Sequence, residues 1–342
     1  MVFNRKLIKN FSGLVVTLAK KRERHPNIRS IEDLPSMEEN MAKKAREEGY
    51  VTIEALATES PAVLTEVMGI GIKTALKIIG EARNALEIKP ILASDLLEEE
   101  KRIQSITTGS SSFDEILAGG VWTGSITEIA GAYGTGKTQL CFQLCINAQI
   151  PQEEGGLEGS AYFIDTEGTF FPGRIVQMAL AANLDSKEIL SKILVSRAYN
   201  TNHLTLLISE AKRYFKERNI KLLIIDSIAS HFRAEFTGKE AIPARQQLLM
   251  RHGEILQRYA DIYDIAILVT NQVLMNPDAV VYGKIEEPAL GLAWAHRPTH
   301  RILLRKSRGT ARIARIFDSP ILPERECVFY ITENGISDSP ET

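Results

Sequence analysis

The sequence predicts an α/β protein whose core is a twisted, mainly parallel sheet, preceded by a small all-α domain. From residue 106 onward, short apolar runs alternate with longer amphipathic segments, a pattern typical of a parallel sheet covered on both faces. Residues 131–138 fit the pattern G-x-x-x-x-G-K-[ST] and lie between one such run and a predicted helix. Residues 31–88 instead carry apolar positions at helical spacing, which indicates a separate helical unit.

Composition limits the classes of protein to which the chain can belong. It has 342 residues, 44% apolar and 25% charged, enough to bury the cores of two domains. The formal net charge of −2 provides no overall basic field, so any nucleic-acid binding must come from a local patch. The three cysteines, Cys141, Cys145 and Cys327, form neither a disulfide framework nor a zinc set, and we interpret them as residues of a cytoplasmic protein. No run of 18 apolar residues is present, which predicts no membrane span.

Changes in pattern divide the chain into four parts. We predict a basic amphipathic extension at 1–30, a helix-hairpin-helix domain at 31–88, a linker or oligomerisation segment at 89–105, and the α/β core at 106–342. The extension is either a plain amphipathic segment or a basic arm for DNA or another anionic surface. In the helical domain, the turn Gly69-Ile70-Gly71 is either a tight turn only or a seat for a backbone phosphate, with Lys73 and Thr74 beside it.

The apolar runs of the core predict its strands. Five of them suit strands buried on both faces, at residues 125–130, 161–164, 192–196, 221–226 and 265–270. Helical patterns lie between them, at residues 138–149 and 205–217. Three later runs are separated by short turn signals and predict an antiparallel edge, at residues 301–305, 312–317 and 326–332.

The glycine-rich motif predicts a site for the phosphates of ATP. Its glycines let the backbone wrap around phosphates, and the N–H groups at the start of the next helix point towards them. Lys137 is placed to reach the β- and γ-phosphates, and the Thr138 hydroxyl to bind Mg²⁺. The predicted nucleotide-binding residues of the motif are Gly131, Ala132, Tyr133, Gly134, Thr135, Gly136, Lys137 and Thr138.

Polar residues at the ends of three other predicted strands extend this site. Asp226 ends an apolar strand and is placed to hold Mg²⁺ together with Thr138. The strand at 161–164 runs into Asp165 and Glu167; Glu167 is the candidate for orienting the attacking water, whereas Asp165 is alternatively a structural cap. The strand at 265–270 runs into Gln272, whose amide is placed to touch the γ-phosphate.

Two basic segments follow these strands. The first holds Arg233, Lys239 and Arg245, with Phe236 between them. The second runs from Pro288 to Phe317, overlaps the end of a long irregular segment at 273–300, and contains no acid. Its cations predict phosphate contacts, although a solvated face balanced by acids elsewhere is the alternative: Arg297, Arg301, Arg305, Lys306, Arg308, Arg312 and Arg315.

From about residue 31 to 338 the chain resembles the archaeal RadA recombinase family, within the RecA-like strand-exchange ATPases. The resemblance is carried by several motifs in order, at residues 107–114, a P-loop that ends in Lys137-Thr138-Gln139, and residues 164–170, 244–247, 270–273, 304–309 and 317–323. It implies a RecA-like core and a DNA-dependent ATPase that assembles as a filament or ring, with ATP and Mg²⁺ as cofactors. The implied partners are single-stranded and double-stranded DNA and further copies of the chain, and the implied location is the nucleoid.

The resemblance also implies roles for individual residues. Glu167 would activate water, Gln272 would sense the γ-phosphate and Gln139 would belong to the ATP site. Arg233, Lys239 and Arg245 would form a first DNA loop. Residues 273–300 would form a second DNA loop, which would contact DNA through Val273, Lys284 and Arg297. His296 would respond to nucleotide near a subunit boundary, and Asp318 and Pro320 would cap the ATP of a neighbouring subunit.

Four positions depart from the family pattern. Pro90 stands where a linker Phe is usual, and Leu290-Gly291 where the second DNA loop usually has Gly-Gly. The first hairpin of the helical domain lacks its glycines, and Phe171 replaces an Arg. Pro90 and the lost Gly-Gly pair motivate an alternative hypothesis, in which the chain is a regulatory paralogue that acts on another recombinase.

Overall fold

The computed structural model describes residues 28–86, 90, 92–275 and 286–340. The predicted extension at 1–30 therefore lies outside the described residues except for its last three positions. Lys284 of the predicted second DNA loop lies outside them as well.

The N-terminal domain is a bundle of four helices around its own apolar core. The Thr52 hydroxyl accepts the Ala55 N–H at 3.1 Å and so begins the second helix. Gly69 ends the third helix in the left-handed region, at φ 64°, where a side chain would be disfavoured. The helices are α1 (Glu39–Glu47), α2 (Ile53–Ala57), α3 (Pro61–Met68) and α4 (Ile72–Ala85).

The central sheet contains nine strands. Its strand order is β13-β12-β11-β10-β3-β7-β6-β4-β5, and all neighbouring pairs from β10 to β5 are parallel. Its strands are β3 (Ser125–Gly131), β4 (Ser160–Asp165), β5 (Ile193–Arg197), β6 (Ile220–Asp226), β7 (Ala266–Asn271), β10 (His300–Lys306), β11 (Ala311–Asp318), β12 (Glu326–Thr332) and β13 (Gly335–Ser337). Two small two-stranded sheets pair β1 (Ser105–Ile106) with β2 (Val121–Trp122), and β8 (Val273–Met275) with β9 (Glu286–Pro288).

The mainly parallel sheet and its antiparallel edge agree with the sequence prediction, with one correction. The run at 301–305 was expected in the antiparallel edge, but β10 pairs parallel with β3 and antiparallel only with β11. The reason is that β10 begins beside the start of β3, where the Thr299 N–H donates to the Ile126 carbonyl oxygen at 2.8 Å, so the two strands run in the same direction. The antiparallel edge therefore consists of β11, β12 and β13.

Helices cover both faces of the sheet, and two apolar clusters fill the spaces between them. One cluster lies under α7 and α8, and the other under α10 and α13. The helices of the linker and core are α5 (Ala93–Glu100), α6 (Ser111–Ile116), α7 (Lys137–Asn147), α8 (Pro172–Ala181), α9 (Ser186–Ser191), α10 (Thr201–Glu210), α11 (Lys212–Glu217), α12 (Ser230–Glu235), α13 (Ile242–Tyr263) and α14 (Gly291–Ala295).

The N-terminal domain docks on the core through a buried charged cluster. Arg258 of α13 donates to the Glu59 carboxylate at 2.7 Å, and the Tyr50 hydroxyl donates to the other oxygen at 2.9 Å. The Lys212 ammonium lies 3.5 Å from the centre of the Tyr50 ring, and burial lowers the pKa of Lys212 to about 8. Tyr50 and Glu59 are both buried, so this contact is part of the folded interior.

Residues 336–338 form hydrogen bonds with residues near the start of the core. The Ser110 hydroxyl donates to the Asp338 carboxylate at 2.5 Å, and the Ser111 N–H donates to it at 2.7 Å. The Ile336 N–H donates to the Gln143 side chain on α7 at 3.0 Å. The last residues of the chain therefore cap α6 and support the helix that follows the glycine-rich loop.

Candidate nucleotide site and the loops beside it

The glycine-rich loop lies at the carboxyl end of β3, between the sheet and α7. Gly136 has φ 103°, which is unfavourable for residues with a side chain. A Cβ added there would also lie 2.2 Å from the Ile331 Cδ1 atom, so the end of that side chain would have to move. The N–H groups at the start of α7 consequently face the loop, as a phosphate site requires.

Lys137 folds back over the same loop. Its ammonium donates to the carbonyl oxygens of Gly131 at 2.8 Å and Ala132 at 3.0 Å. Burial lowers the pKa of Lys137 below its ordinary value, partly offset by the acids at Asp226 and Glu167. The carbonyl contacts keep the charged group inside the loop, at the place where phosphate oxygens are expected.

Thr138 and Asp226, the two predicted Mg²⁺ ligands, form a hydroxyl–carboxylate pair. The Thr138 hydroxyl donates to the Asp226 carboxylate at 2.6 Å, and the Thr270 hydroxyl donates to its other oxygen. Burial raises the pKa of Asp226, while these two hydrogen bonds lower it. A hydroxyl and a carboxylate this close fit the hard oxygen ligands that Mg²⁺ takes beside phosphates.

A chain of contacts next to the Thr138–Asp226 pair joins Glu167, Gln272 and Arg233. The Gln272 amide donates to the Glu167 carboxylate at 3.2 Å, and Arg233 of α12 donates to the Gln272 carbonyl oxygen. The Ser227 hydroxyl, directly after Asp226, donates to the same Glu167 oxygen at 3.0 Å. The predicted water-orienting acid, the predicted phosphate sensor and a predicted DNA-contacting cation therefore lie in direct contact.

Asp165 acts as the structural cap that the sequence left as its alternative role. Its carboxylate accepts backbone N–H groups of the loop that carries Glu167, and Arg197 pairs with it at 3.1 Å. The N–H donors lie 2.7–3.3 Å away and belong to Glu167, Gly168, Thr169 and Phe170. This side chain holds the shape of the Glu167 loop.

Arg174 is a member of the site that the sequence analysis missed. Its guanidinium donates to the Gln139 side chain at 2.8 Å and to the Thr332 carbonyl oxygen at 2.7 Å. It therefore ties the start of α7 to the turn between β12 and β13. No local sequence signal marks this arginine, because its partners lie 35 and 158 residues away along the chain.

Asp318 and Pro320 do not join the glycine-rich loop of their own chain. Asp318 pairs with Arg301 in the sheet, whereas the loop begins beside Leu304. Three residues of strand separate the two levels by about 10 Å. Asp318, Pro320 and the exposed His296 instead line a separate cavity of about 440 Å³.

Three cations of the second basic segment pair with acids outside it, which agrees with the alternative prediction of a face balanced by acids elsewhere. Arg301 is buried and paired with Glu128 at 2.6 Å, because its position in β10 faces the interior. Arg297 pairs with Glu254 at 3.2 Å, and Arg315 pairs with Glu324 at 2.8 Å. The remaining predicted contacts lie apart from these: Lys239 is exposed beside α12, Arg245 is half-buried on α13, and Val273 is half-buried in β8.

Leu290, within the long irregular segment at 273–300, has an unusual backbone conformation. Its φ is 80°, in the left-handed region, and Gly291 follows with φ 69°. The Leu290 side chain is nonetheless buried in the second core cluster. Burial of this side chain offsets a backbone cost of about 1–2 kcal/mol, which a glycine would not have.

The fold and the site together define a P-loop α/β protein with a RecA-like core and a helical N-terminal domain. Across the described parts of the chain, no helix is both long and apolar enough to cross a bilayer.

Comparison with known proteins identifies the family. The sequence profile of the Rad51 family matches residues 99–339, and that of the SAM-like helix-hairpin-helix tandem matches residues 28–84. The DNA repair and recombination protein RadA of Aeropyrum pernix is 48% identical over 311 residues, which cover 91% of this chain and 97% of that protein. The protein of the same name from Metallosphaera sedula is 45% identical over 325 residues, covering 95% of this chain and all of that protein. The chain belongs to the Rad51 family, and the resemblance to archaeal RadA proteins is confirmed.

Proposed function

We propose that this chain is an ATP-dependent DNA-binding recombinase, which assembles on single-stranded DNA and promotes homologous pairing and strand exchange in DNA repair. The observation that carries the proposal is the contact chain from Arg233 through Gln272 to Glu167. It joins a cation suited to DNA phosphates to the two groups suited to sensing and hydrolysing ATP. The names of both relatives favour this role over that of a regulatory paralogue.

The proposed ATPase uses the residues of the glycine-rich loop and its neighbours. Backbone N–H groups at the start of α7, Lys137 and Gln139 bind the nucleotide, and Thr138 with Asp226 holds Mg²⁺, which would neutralise phosphate charge. Glu167 orients the attacking water and accepts its proton, and Gln272 contacts the γ-phosphate. Asp165 keeps the Glu167 loop in place through its backbone hydrogen bonds.

The position of the cavity at Asp318 and Pro320 supports the proposed assembly. These residues lie away from the glycine-rich loop of their own chain, and in the proposed assembly they cap the nucleotide of a neighbouring copy. ATP then lies between protomers, and its hydrolysis changes how the copies hold single-stranded or double-stranded DNA. Arg233, Lys239, Arg245 and the segment at 273–300 are the proposed DNA contacts. The DNA substrate places this activity in the cytoplasm, at the nucleoid.

Steady-state ATP hydrolysis by the purified full chain, with and without single-stranded DNA, tests the proposal. We expect DNA to stimulate hydrolysis, and the stimulation to weaken steeply as salt increases. Glu167→Gln should lower the DNA-stimulated rate roughly 100-fold or more. Glu188→Gln is the matched control, because Glu188 is an exposed glutamate paired with Lys192 outside the site. Hydrolysis that is indifferent to DNA would refute the proposal.

A further inference from the structure

A fully buried carboxylate lies behind the nucleotide site, on the strand that leads into the glycine-rich loop. Glu128 of β3 has no exposed surface. One oxygen accepts the Trp294 indole N–H at 2.9 Å and the Asn271 amide at 2.7 Å. The other oxygen accepts the Arg301 guanidinium at 2.6 Å. A buried charge with three donors is strongly position-sensitive, because a lost donor leaves a desolvated oxygen without a partner.

The three donors come from three elements, each of which borders a part of the proposed machinery. Asn271 ends β7 and immediately precedes Gln272. Trp294 lies on α14, at the end of the proposed second DNA loop. Arg301 lies on β10, and its guanidinium also approaches the Asp318 carboxylate at 3.7 Å. Glu128 therefore connects the phosphate sensor, the DNA loop and the cap for a neighbouring nucleotide.

Backbone contacts strengthen the link between the DNA loop and the sensor. The Ala289 N–H donates to the Gln272 carbonyl oxygen at 2.7 Å, and the Asn271 side chain donates to the Ala289 carbonyl oxygen at 2.9 Å. A displacement of α14 thus cannot leave β7 and Gln272 unaffected without breaking these hydrogen bonds. Two packed arrangements of such a network are expected to interconvert as a unit rather than by continuous deformation.

We propose that Glu128 is a positioning residue, which ties the proposed second DNA loop to Gln272 and Asp318 through Trp294, Asn271 and Arg301. The inference rests on the proposed function and specifies how DNA binding and the nucleotide site influence each other. DNA binding reorients α14, the buried carboxylate transmits the change to β7, and Gln272 moves relative to Glu167. Since such coupling is reciprocal, ATP must strengthen DNA binding by the factor by which DNA strengthens ATP binding.

Equilibrium DNA binding measures this coupling directly. The probe is a fluorescein-labelled single-stranded oligonucleotide of mixed sequence, titrated with the full chain, without nucleotide and with a slowly hydrolysed ATP analogue. The quantity compared is the ratio of the two dissociation constants. We expect Trp294→Phe to lower this ratio about tenfold, because it removes one hydrogen bond to a charged group. The affinity for the analogue without DNA should stay unchanged.

Trp122→Phe is the matched control. Trp122 is the other tryptophan of the chain, and it is buried against His300 with ring centres 4.8 Å apart. The same substitution there removes no donor to Glu128, and we expect it to leave the ratio within about twofold of the parent. In the Trp122→Phe protein, Trp294 is the sole tryptophan. We expect its emission to change when DNA is added to the protein bound to the ATP analogue.

Asn271→Ala provides a second, independent test at the sensor end of the network. The side-chain oxygen of Asn271 has no hydrogen-bond partner among the residues that the structure describes, so the substitution removes only the bonds that the side chain donates. We expect a similar loss of the ratio, and a double variant with Trp294→Phe that loses less than the sum of the two. If both single variants keep the parent's ratio of DNA dissociation constants, the inference about Glu128 is overturned and the proposed function is not. A parent protein whose DNA affinity ignores the nucleotide would overturn the proposed function as well, and the parent measurement identifies that case.

Discussion

Removing Arg258 should loosen the N-terminal domain from the core by an amount that the structure allows us to calculate. The Arg258→Met substitution keeps the apolar stem but leaves the Glu59 carboxylate, which is 5% exposed, without its cation. Breaking a buried ion pair from one side costs about 3–5 kcal/mol. The Arg258 side chain is 23% exposed, so solvent screens part of the loss and we expect about 2 kcal/mol.

Thermal unfolding is the assay. For a chain of 342 residues, a loss of about 2 kcal/mol corresponds to a decrease in melting temperature of about 3 °C. Arg213→Met is the matched control, because Arg213 pairs with Glu48 across the same interface but both side chains are about one-third exposed. That pair should contribute about 0.5 kcal/mol, or less than about 1 °C. Equal decreases in the two variants would refute the reasoning that burial sets the strength of this contact.

Three further predictions concern the site and its pH dependence. Arg233→Ala should raise ATP hydrolysis in the absence of DNA several-fold, because it releases Gln272 from its contact with Arg233, and steady-state rates measure this. Asp165→Ala should lower kcat for ATP hydrolysis about 100-fold while ATP binding persists, because the backbone N–H groups of the Glu167 loop lose the carboxylate that accepts them. Burial lowers the pKa values of His252 and His300 to about 4, so the neutral forms stabilise the fold above pH 6.5 and this stability is lost as the pH falls towards 4. Each histidine should contribute roughly 2 kcal/mol, measured by urea unfolding at pH 7 and pH 4.5.

Each of these predictions has a contradicting result. An unchanged DNA-free rate in Arg233→Ala would mean that the contact with Gln272 restrains nothing. Normal hydrolysis in Asp165→Ala would mean that the loop holds its shape without the cap. His252→Gln should flatten the acid side of the stability profile, and a profile identical to that of the parent would assign the acid sensitivity to other groups.

The strands and the glycine-rich loop could be predicted because their signals are local. A strand buried on both faces must be apolar at nearly every position, and residues 220–226 and 266–271 show this directly. The loop's glycines are required by its backbone, as Gly136 illustrates with its positive φ and the close Ile331 side chain. Patterns that arise within a few residues can be recognised in the sequence before the fold is known.

The contacts that depend on distant partners could not be predicted. Nothing in the sequence distinguishes Glu128 from other polar residues in strands. Its donors Trp294 and Arg301 follow 166 and 173 residues later. The same limit explains why the sequence leaves two alternatives for the basic segment after Pro288, phosphate contacts or a face balanced by distant acids. Its acids come from other elements, Glu128 for Arg301 and Glu254 for Arg297.

The hydrogen bonds that residues 336–338 make with the start of the core have a consequence during synthesis. Ser110 and its partner Asp338 are 228 positions apart, and a ribosome adding 5–20 residues per second needs roughly 10–45 s to make the segment between them. The helical domain, whose contacts lie close together in the chain, can fold early in that interval. The sheet behind it stays without the Asp338 cap of α6 and without the Ile336 contact to α7 until residues 336–338 have been made. During that interval, nascent chains of this protein expose a candidate nucleotide site that lacks both of these contacts.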